Sequence, residues 1–106
     1  VFDGGVAITT CPQVKTDAQL ICAQVADQLL TIRDVKASFV VGRNIDEKTV
    51  ISARSLGDVN VQLIMEKFGG GGHLTTAAAQ VEDSIQETVQ KIMEIMEVKK
   101  DDSNLE

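Results

Sequence analysis

Aromatic residues are almost missing from this chain, which has three Phe and neither Trp nor Tyr among its 106 residues. The interior must therefore be filled by the aliphatic side chains of Val, Ile, Leu, Met and Ala. The content of 43% hydrophobic and 25% charged residues is typical of a globular domain. A chain of this length can bury roughly two thirds of its unfolded surface around one core, so we expect a single domain.

The chain also has few positively charged residues. The chain has 10 Lys and Arg against 16 Asp and Glu, which gives a formal net charge of −6. An acidic protein repels polyanions, so the composition argues against tight non-specific binding to long nucleic acid. A small phosphorylated ligand held at one local site is compatible with it.

The sequence also lacks cysteines at metal-site spacing and long apolar runs, and its first residues do not show the basic-then-apolar order of a signal peptide. Cys11 and Cys22 are expected to be free thiols, with Cys22 on the buried face of a helix, as in a reducing cytoplasm. No apolar run approaches the roughly 18 to 20 residues that span a bilayer, so we expect no direct membrane contact. The two ends suggest an excised domain over residues 1–104, with Leu105 and Glu106 as a cloning scar.

Hydrophobic patterning predicts a strand and a helix first. Residues 6–9 favour a short strand that ends at the turn-rich TCPQ, because Pro12 removes a ladder donor. A capping-box sequence that begins at Thr16, followed by an apolar stripe, predicts a helix over residues 16–30.

Two β-rich runs come next, ASFVVGR and TVISARS, and the polar segment NIDEK separates them. This pattern predicts a hairpin with a loop of about four residues. In the second run Val50, Ser52 and Arg54 lie on one face, so Ile51, Ala53 and Ser55 lie on the other.

The second half of the chain predicts two more helices around the glycine run. Asn60 is a plausible N-cap of a helix that the glycines from Gly69 onward terminate. LTT is expected to start a short helical turn and AAAQVE to be extended near Val81. A second capping box, at Ser84, predicts a helix over residues 85–98.

This order of elements predicts an α/β or α+β fold. We expect a mixed β-sheet of four to five strands packed by about three main helices, with a glycine-rich loop before the last strand and helix.

The stretch FGGGGHLTTAAAQ contains four consecutive glycines and the only histidine. Fixing four glycines costs roughly 2 to 4 kcal/mol, so the run needs a reason. A flexible linker is one explanation, and a helix C-cap followed by a turn is another. The functional explanation is that successive N–H groups turn toward a bound anion, with the His73 imidazole donating to a phosphate oxygen.

Arg54 is the other candidate residue, because an arginine at a strand end can form a bidentate contact with phosphate. The alternative is an ordinary surface arginine paired with a carboxylate such as Asp58. A metal site at His73 is disfavoured, since no second histidine and no carboxylate at helical spacing accompany it. No pair of carboxylates suits acid and base catalysis.

The segment ISARSLGDVNVQLIMEKFGGGGHLTTAAAQ resembles the C-terminal, DHH-associated domain of the DHH phosphoesterase superfamily. The hallmark of that domain is a Gly-Gly-Gly-His motif downstream of an Arg-Ser strand end, and the likeness covers nearly all of the chain. Within the superfamily, SARSLGDVNVQLIMEKFGGGGH is most similar to the membrane-anchored bacterial phosphodiesterases that hydrolyse cyclic di-AMP.

The resemblance implies a two-part enzyme in which an upstream DHH domain holds a pair of manganese ions and this domain grips the nucleotide. It implies that this fragment binds no metal, is inactive alone and belongs to the cytoplasmic part of a membrane-anchored protein. A homodimer is left open. The residues it assigns to the phosphate site are Gly70, Gly71, Gly72, His73, Arg54 and Ser55, whereas helix capping explains Asn60 equally well.

Two rival functions are kept. Relatives in the same superfamily degrade short oligonucleotides, or nanoRNA, and would use the same site residues. A different class is a non-catalytic nucleic-acid-binding module, such as the related tail domain of alanyl-tRNA synthetases. The net charge of −6 makes the nucleic-acid-binding module the less favoured of the two, because an acidic domain repels nucleic acid.

Overall fold

The computed structural model describes residues 2–15 and 17–98 of the chain, so the expected cloning scar at residues 105–106 lies outside the described residues. Within these residues the secondary structure consists of six strands and three helices. In chain order they are β1 (Phe2–Asp3), β2 (Val6–Lys15), α1 (Ala18–Leu29), β3 (Ala37–Asn44), β4 (Thr49–Ser55), α2 (Val61–Glu66), β5 (Gly71–Gly72), β6 (Thr76–Val81) and α3 (Ile85–Met96).

The described strands form one mixed sheet in the order β1-β2-β3-β4-β6-β5. β2 and β3 are parallel, and α1 connects them, whereas the other neighbours are antiparallel. The α+β class and the mixed sheet are confirmed. The strand count is six rather than four to five, because β1 and β5 have two residues each and carry no hydrophobic pattern.

Helices cover both faces of the sheet, and the strands alternate between the two cores as predicted. On one face, Phe39 and Ile51 belong to the larger cluster that α2 and α3 complete. On the other face, Val40 and Val50 pack against Ala18, Cys22 and Ala26 of α1. The predicted alternation of β4 therefore places Arg54 on the α1 face of the sheet.

β2 is longer than the sequence pattern suggested. The predicted turn at TCPQ is wrong, because the strand runs on to Lys15 beside β3. Its pairing register shifts between Cys11 and Val14, and Pro12 lies within that shift. A proline is accommodated at such an irregularity because the ladder there does not need its missing N–H.

The predicted capping residues differ in their outcome. Asn60 accepts a hydrogen bond from the Leu63 N–H at 3.2 Å and begins α2, as expected. The capping box at Ser84 is confirmed, with reciprocal bonds of 3.0 and 3.1 Å to Glu87. α1 starts from Asp17, which makes no side-chain capping bond, and the predicted cap at Thr16 lies outside the described residues.

The segment after the glycines is a hairpin. The His73 N–H donates to the Thr76 carbonyl at 2.6 Å, and β6 starts at Thr76. The predicted helical turn at LTT is therefore wrong, because Leu74 and Thr75 connect the hydrogen-bonded pair of His73 and Thr76, and Thr76 already belongs to β6. The extended segment near Val81 is confirmed as the end of β6.

Candidate functional site

The first half of the glycine run ends α2. Gly69 has a φ of +82°, which is the left-handed conformation that glycine adopts readily. The Gly69 N–H donates to Glu66 O at 3.1 Å, and the Gly70 N–H donates to Met65 O at 2.9 Å. These two bonds form the Schellman arrangement that satisfies the last carbonyls of a helix. The C-cap explanation weighed for the glycines is therefore confirmed for Gly69.

Two further glycines allow the chain to lie against β6. A Cβ on Gly70 would lie 2.6 Å from the Cα of Ala79, and a Cβ on Gly72 would lie 2.5 Å from the Cα of Ala77. Both distances are too short for any side chain, and the atoms in the way belong to the main chain. By contrast, a Cβ on Gly71 would meet nothing within 4 Å.

The run does not form the amide nest that the sequence suggested. The N–H groups of Gly69, Gly70 and His73 are used in internal hydrogen bonds, so that form of the hypothesis is wrong for them. Gly72 pairs with Ala77 next to the hydrogen-bonded pair of His73 and Thr76. Since hydrogen-bonded and non-bonded pairs alternate in an antiparallel ladder, the Gly72 N–H is directed away from β6.

An open cleft of about 300 Å³ lies between α1 and the β4-β6-β5 side of the sheet. Four of the predicted site residues line it: Arg54, Gly71, Gly72 and His73. The remaining lining residues are Gln19, Ala23, Ser52, Thr76, Ala77 and Ala78. The cleft therefore has a cationic group and an imidazole on walls that otherwise carry small or neutral side chains.

The β-ladder brings Arg54 and His73 to the same end of the cleft. Arg54 lies opposite Thr76 in the β4–β6 pairing, and Thr76 is the residue to which His73 bonds across the hairpin. The hairpin connection is held by two more bonds, from the Ser55 N–H to Thr75 O and from the Val61 N–H to Leu74 O, both at 3.0 Å. His73 itself is exposed, so its ring is available to a ligand.

Arg54 is largely enclosed, with 14% of its side chain exposed. Its Nε donates to Oδ1 of Asp27 at 2.8 Å, and its Nη1 donates to the Ala53 carbonyl at 2.9 Å. Asp58, the partner considered from the sequence, instead lies 3.7 Å from the Lys36 ammonium. The carboxylate partner of Arg54 thus comes from α1 rather than from the turn after β4.

Three predicted site residues are not among the described residues that line the cleft: Gly70, Ser55 and Asn60. Ser55 is buried, and its hydroxyl donates to Val59 O at 2.7 Å and accepts from the Gly57 N–H at 2.8 Å. Strand alternation explains this placement, since Ser55 follows Arg54 directly and faces the opposite side of the sheet. Gly70 serves close packing, and Asn60 caps α2.

Sequence reasoning missed three polar residues of the cleft: Gln19, Ser52 and Thr76. The Gln19 amide donates to the Ser52 hydroxyl at 3.0 Å and so connects α1 to β4 across the cleft. Ser52 had a detectable signal, because strand alternation already placed it on the same face as Arg54. Gln19 had none, since its contact depends on how α1 packs.

A larger depression of about 430 Å³ lies at the opposite edge of the sheet, near β1 and the end of α1. Its walls are mainly apolar, and Arg33 is the one charged side chain among the described residues that line it. The smaller cleft is the better candidate because Arg54 and His73 converge there. In the part of the chain that the structure describes, no group of three or more His, Cys, Asp or Glu side chains could hold a metal ion.

Comparison with known proteins gives a family match over most of the chain. The model of the DHHA1 domain matches residues 3–98. The cyclic-di-AMP phosphodiesterase GdpP of Geobacillus thermodenitrificans is 52% identical over 95 residues, which are 89% of this chain and 14% of that protein. The cyclic-di-AMP phosphodiesterase PdeA of Listeria monocytogenes is 48% identical over 83 residues, which are 78% of this chain and 13% of that protein.

Solved structures show the same fold. An exopolyphosphatase-related protein from Bacteroides fragilis superposes with a TM-score of 0.63 at 25% identity, over 68% of this chain and 21% of that one. The C-Ala domain of alanyl-tRNA synthetase from Aquifex aeolicus superposes with a TM-score of 0.62 at 20% identity, over 81% of this chain and 88% of that domain. The second likeness concerns the fold alone.

Proposed function

The chain belongs to the DHHA1 domain family, and from that membership we propose that it is the nucleotide-binding half of a cyclic-di-AMP phosphodiesterase. Its curated relatives are much longer, since the chain spans 14% of the length of the Geobacillus enzyme. Hydrolysis is therefore assigned to the whole protein and not to these residues alone.

The observation that carries the proposal is the convergence of Arg54 and His73 on one cleft. A guanidinium presents N–H donors in a planar fork that matches phosphate oxygens, and it stays charged at all relevant pH values. An imidazole N–H adds a second donor. The glycine wall lets a phosphate approach the main chain without a Cβ in the way.

In this proposal the domain orients the phosphodiester and offsets its negative charge. Arg54 fixes the phosphate through its terminal N–H groups, and His73 donates to another oxygen. Positioning and charge stabilisation of this kind act on the transition state only if the donors are held rigidly. The hydrogen-bonded hairpin holds the His73 main chain in this way, and contacts to Asp27 and Ala53 hold the Arg54 side chain.

Among the described residues, no group of three or more His, Cys, Asp or Glu side chains fits a metal ion. We place manganese in an upstream DHH domain, as the sequence resemblance implies. None of the described helices is both long and apolar enough to cross a membrane. The proposed location is the cytoplasmic part of a membrane-anchored protein, with the anchor elsewhere in the longer chain.

The test compares the full-length protein with its Arg54→Ala and His73→Ala variants. Cyclic di-AMP, the linear diadenylate and a short oligonucleotide are given as substrates under the same conditions. We expect the wild-type protein to have its highest kcat/KM with cyclic di-AMP, and we expect both variants to lose activity. Preference for the linear substrates would favour a nanoRNA-degrading function. Salt-sensitive tRNA binding without hydrolysis would favour a tail-domain function.

A further inference from the structure

Asp27 occupies an unfavourable place in its helix. It lies in the last turn of α1 (Ala18–Leu29), which has no basic residue. A carboxylate there faces the negative end of the helix dipole. A compensating interaction is therefore expected, and the partner of Asp27 is Arg54, 27 residues further along the chain.

The contact between these residues uses one particular edge of the guanidinium. Oδ1 of Asp27 accepts from Nε of Arg54 at 2.8 Å, rather than from the two terminal nitrogens. Nη1 donates to Ala53 O at 2.9 Å. A guanidinium carries five N–H donors, so these two bonds leave three donors on the terminal nitrogens for a ligand.

Asp27 and Arg54 also differ in their surroundings. Arg54 lines the cleft and is 14% exposed, whereas Asp27 is 64% exposed and is not among the described residues of the cleft wall. A ligand in the cleft thus touches the arginine without touching the carboxylate. Apart from the Coulomb repulsion between its carboxylate and a bound anion, Asp27 acts on binding through Arg54.

We propose that Asp27 is a positioning residue, which grips the Nε edge of Arg54 and so turns the terminal nitrogens toward phosphate in the cleft. This inference rests on the proposed function, because it assigns a role to the partner of a phosphate-binding arginine. A long arginine side chain without such an anchor samples many rotamers, and binding must then select one of them.

The opposite role would be a competitor that keeps Arg54 from phosphate. The geometry argues against it, since a competing carboxylate would take the bidentate face of the fork, and Asp27 takes the Nε edge instead. The two roles predict opposite changes in phosphate binding when Asp27 is replaced. Removing an anchor weakens binding, and removing a competitor strengthens it.

The experiment measures kcat and KM for cyclic di-AMP in the full-length protein, together with the melting temperature. Asp27→Ala removes the acceptor, whereas Asp27→Asn keeps an oxygen that can accept from Nε. We expect Asp27→Ala to lower kcat/KM by about tenfold to a hundredfold, the range for misplacement of a binding group, with an unchanged melting temperature. Asp27→Asn should stay within about threefold of wild type, because the bond is retained.

The matched control is Asp58→Ala, which removes a carboxylate of similar exposure, 65%, from a pair with Lys36 outside the cleft. It should leave kcat/KM unchanged. Wild-type or improved kcat/KM in Asp27→Ala overturns the inference, and so does a loss in Asp27→Asn as large as in Asp27→Ala. If Arg54→Ala is impaired while Asp27→Ala is normal, only the positioning role fails. If Arg54→Ala has the kcat/KM of wild type, both the positioning role and the proposed function fail.

Discussion

Gly70 and Ala79 approach so closely that a Cβ on Gly70 would lie 2.6 Å from the Cα of Ala79. The glycine run is thus a packing device as well as a wall of the candidate cleft. Gly69 ends α2, and Gly70 and Gly72 let the chain lie flat against β6, whereas Gly71 leaves room for a Cβ. Each position is open to a separate test.

Gly70→Ala and Gly71→Ala should differ sharply in stability. At Gly70 the added methyl group meets main-chain atoms of β6 that cannot move cheaply, so we expect a loss of about 1 to 3 kcal/mol or more. At Gly71 it meets nothing within 4 Å, and the change should stay within about 1 kcal/mol. Urea unfolding of both variants measures this, and equal stabilities would contradict the packing argument.

Gly71→Ala is also a probe of the cleft, because it changes a lining residue without the expected loss of fold. Under the proposed function, its kcat/KM for cyclic di-AMP should fall in the full-length protein. An unchanged value would place the ligand elsewhere along the cleft.

Local sequence signals predicted the helix caps and the β3–β4 hairpin, whose interactions are themselves local, although the turns expected at TCPQ and LTT were wrong. The capping residues Asn60 and Ser84 bond within the next three residues, so the motif contains both partners. The hairpin of β3 and β4 and the alternation of its faces are local in the same sense. The two-residue strands β1 and β5 were missed because only pairing with a partner strand defines them.

The residues of the candidate site also fall into two groups, those that a local pattern predicts and those that depend on packing between distant elements. Arg54 could be placed on its face by strand alternation, and His73 by the glycine context. The pairing of Arg54 with Asp27 could not be predicted, because it joins two elements whose packing no short motif encodes. The expectation of free amides in the glycine run failed for a related reason, since strand pairing with β6 uses the N–H of His73 and helix capping uses that of Gly70.

Asn60→Ala separates capping from ligand binding. The Asn60 side chain accepts from the Leu63 N–H at 3.2 Å, so its loss should lower the free energy of unfolding by about 1 kcal/mol. Asn60→Asp keeps an accepting oxygen and should recover most of this. Because Asn60 is not among the described cleft residues, KM for cyclic di-AMP should not change in either variant. A higher KM at unchanged stability would show a direct contact with substrate.

The domain should lose stability at alkaline pH through Cys22. Burial, with a smaller contribution from the neighbouring Cys11, raises the pKa of the Cys22 thiol from 9.0 to about 11. The neutral thiol is thus favoured in the folded state. The resulting stabilisation of the folded domain is fully present at pH values below the pKa of Cys22 in the unfolded chain. It is lost as the pH rises through the pKa of Cys22 in the folded domain. The loss should be on the order of 2 kcal/mol between about pH 9 and pH 11.

The check is urea unfolding of wild type and Cys22→Ala across that interval. The variant should show a flatter pH dependence, although its stability at neutral pH will be lower because a buried side chain has been shortened. The hydrogen bond from Lys91 to Asp83 raises the pKa of the Lys91 ammonium, so this group also makes the domain less stable as the pH rises. Lys91→Met removes this second source of pH dependence and serves as the control. Identical slopes in wild type and Cys22→Ala would exclude the thiol as the cause.

His73→Ala in the full-length protein should lower kcat for cyclic di-AMP by about tenfold to a thousandfold, the range for one donor to a developing charge. The fold should survive, because the imidazole is exposed and the hairpin is held by main-chain bonds that the variant keeps. Thr75→Ala, at an exposed neighbouring position outside the described cleft wall, is the matched control and should keep wild-type kcat. His73→Gln retains an N–H donor and should recover part of the loss. Wild-type kcat in His73→Ala would remove the imidazole from the mechanism and leave Arg54 as the charged anchor.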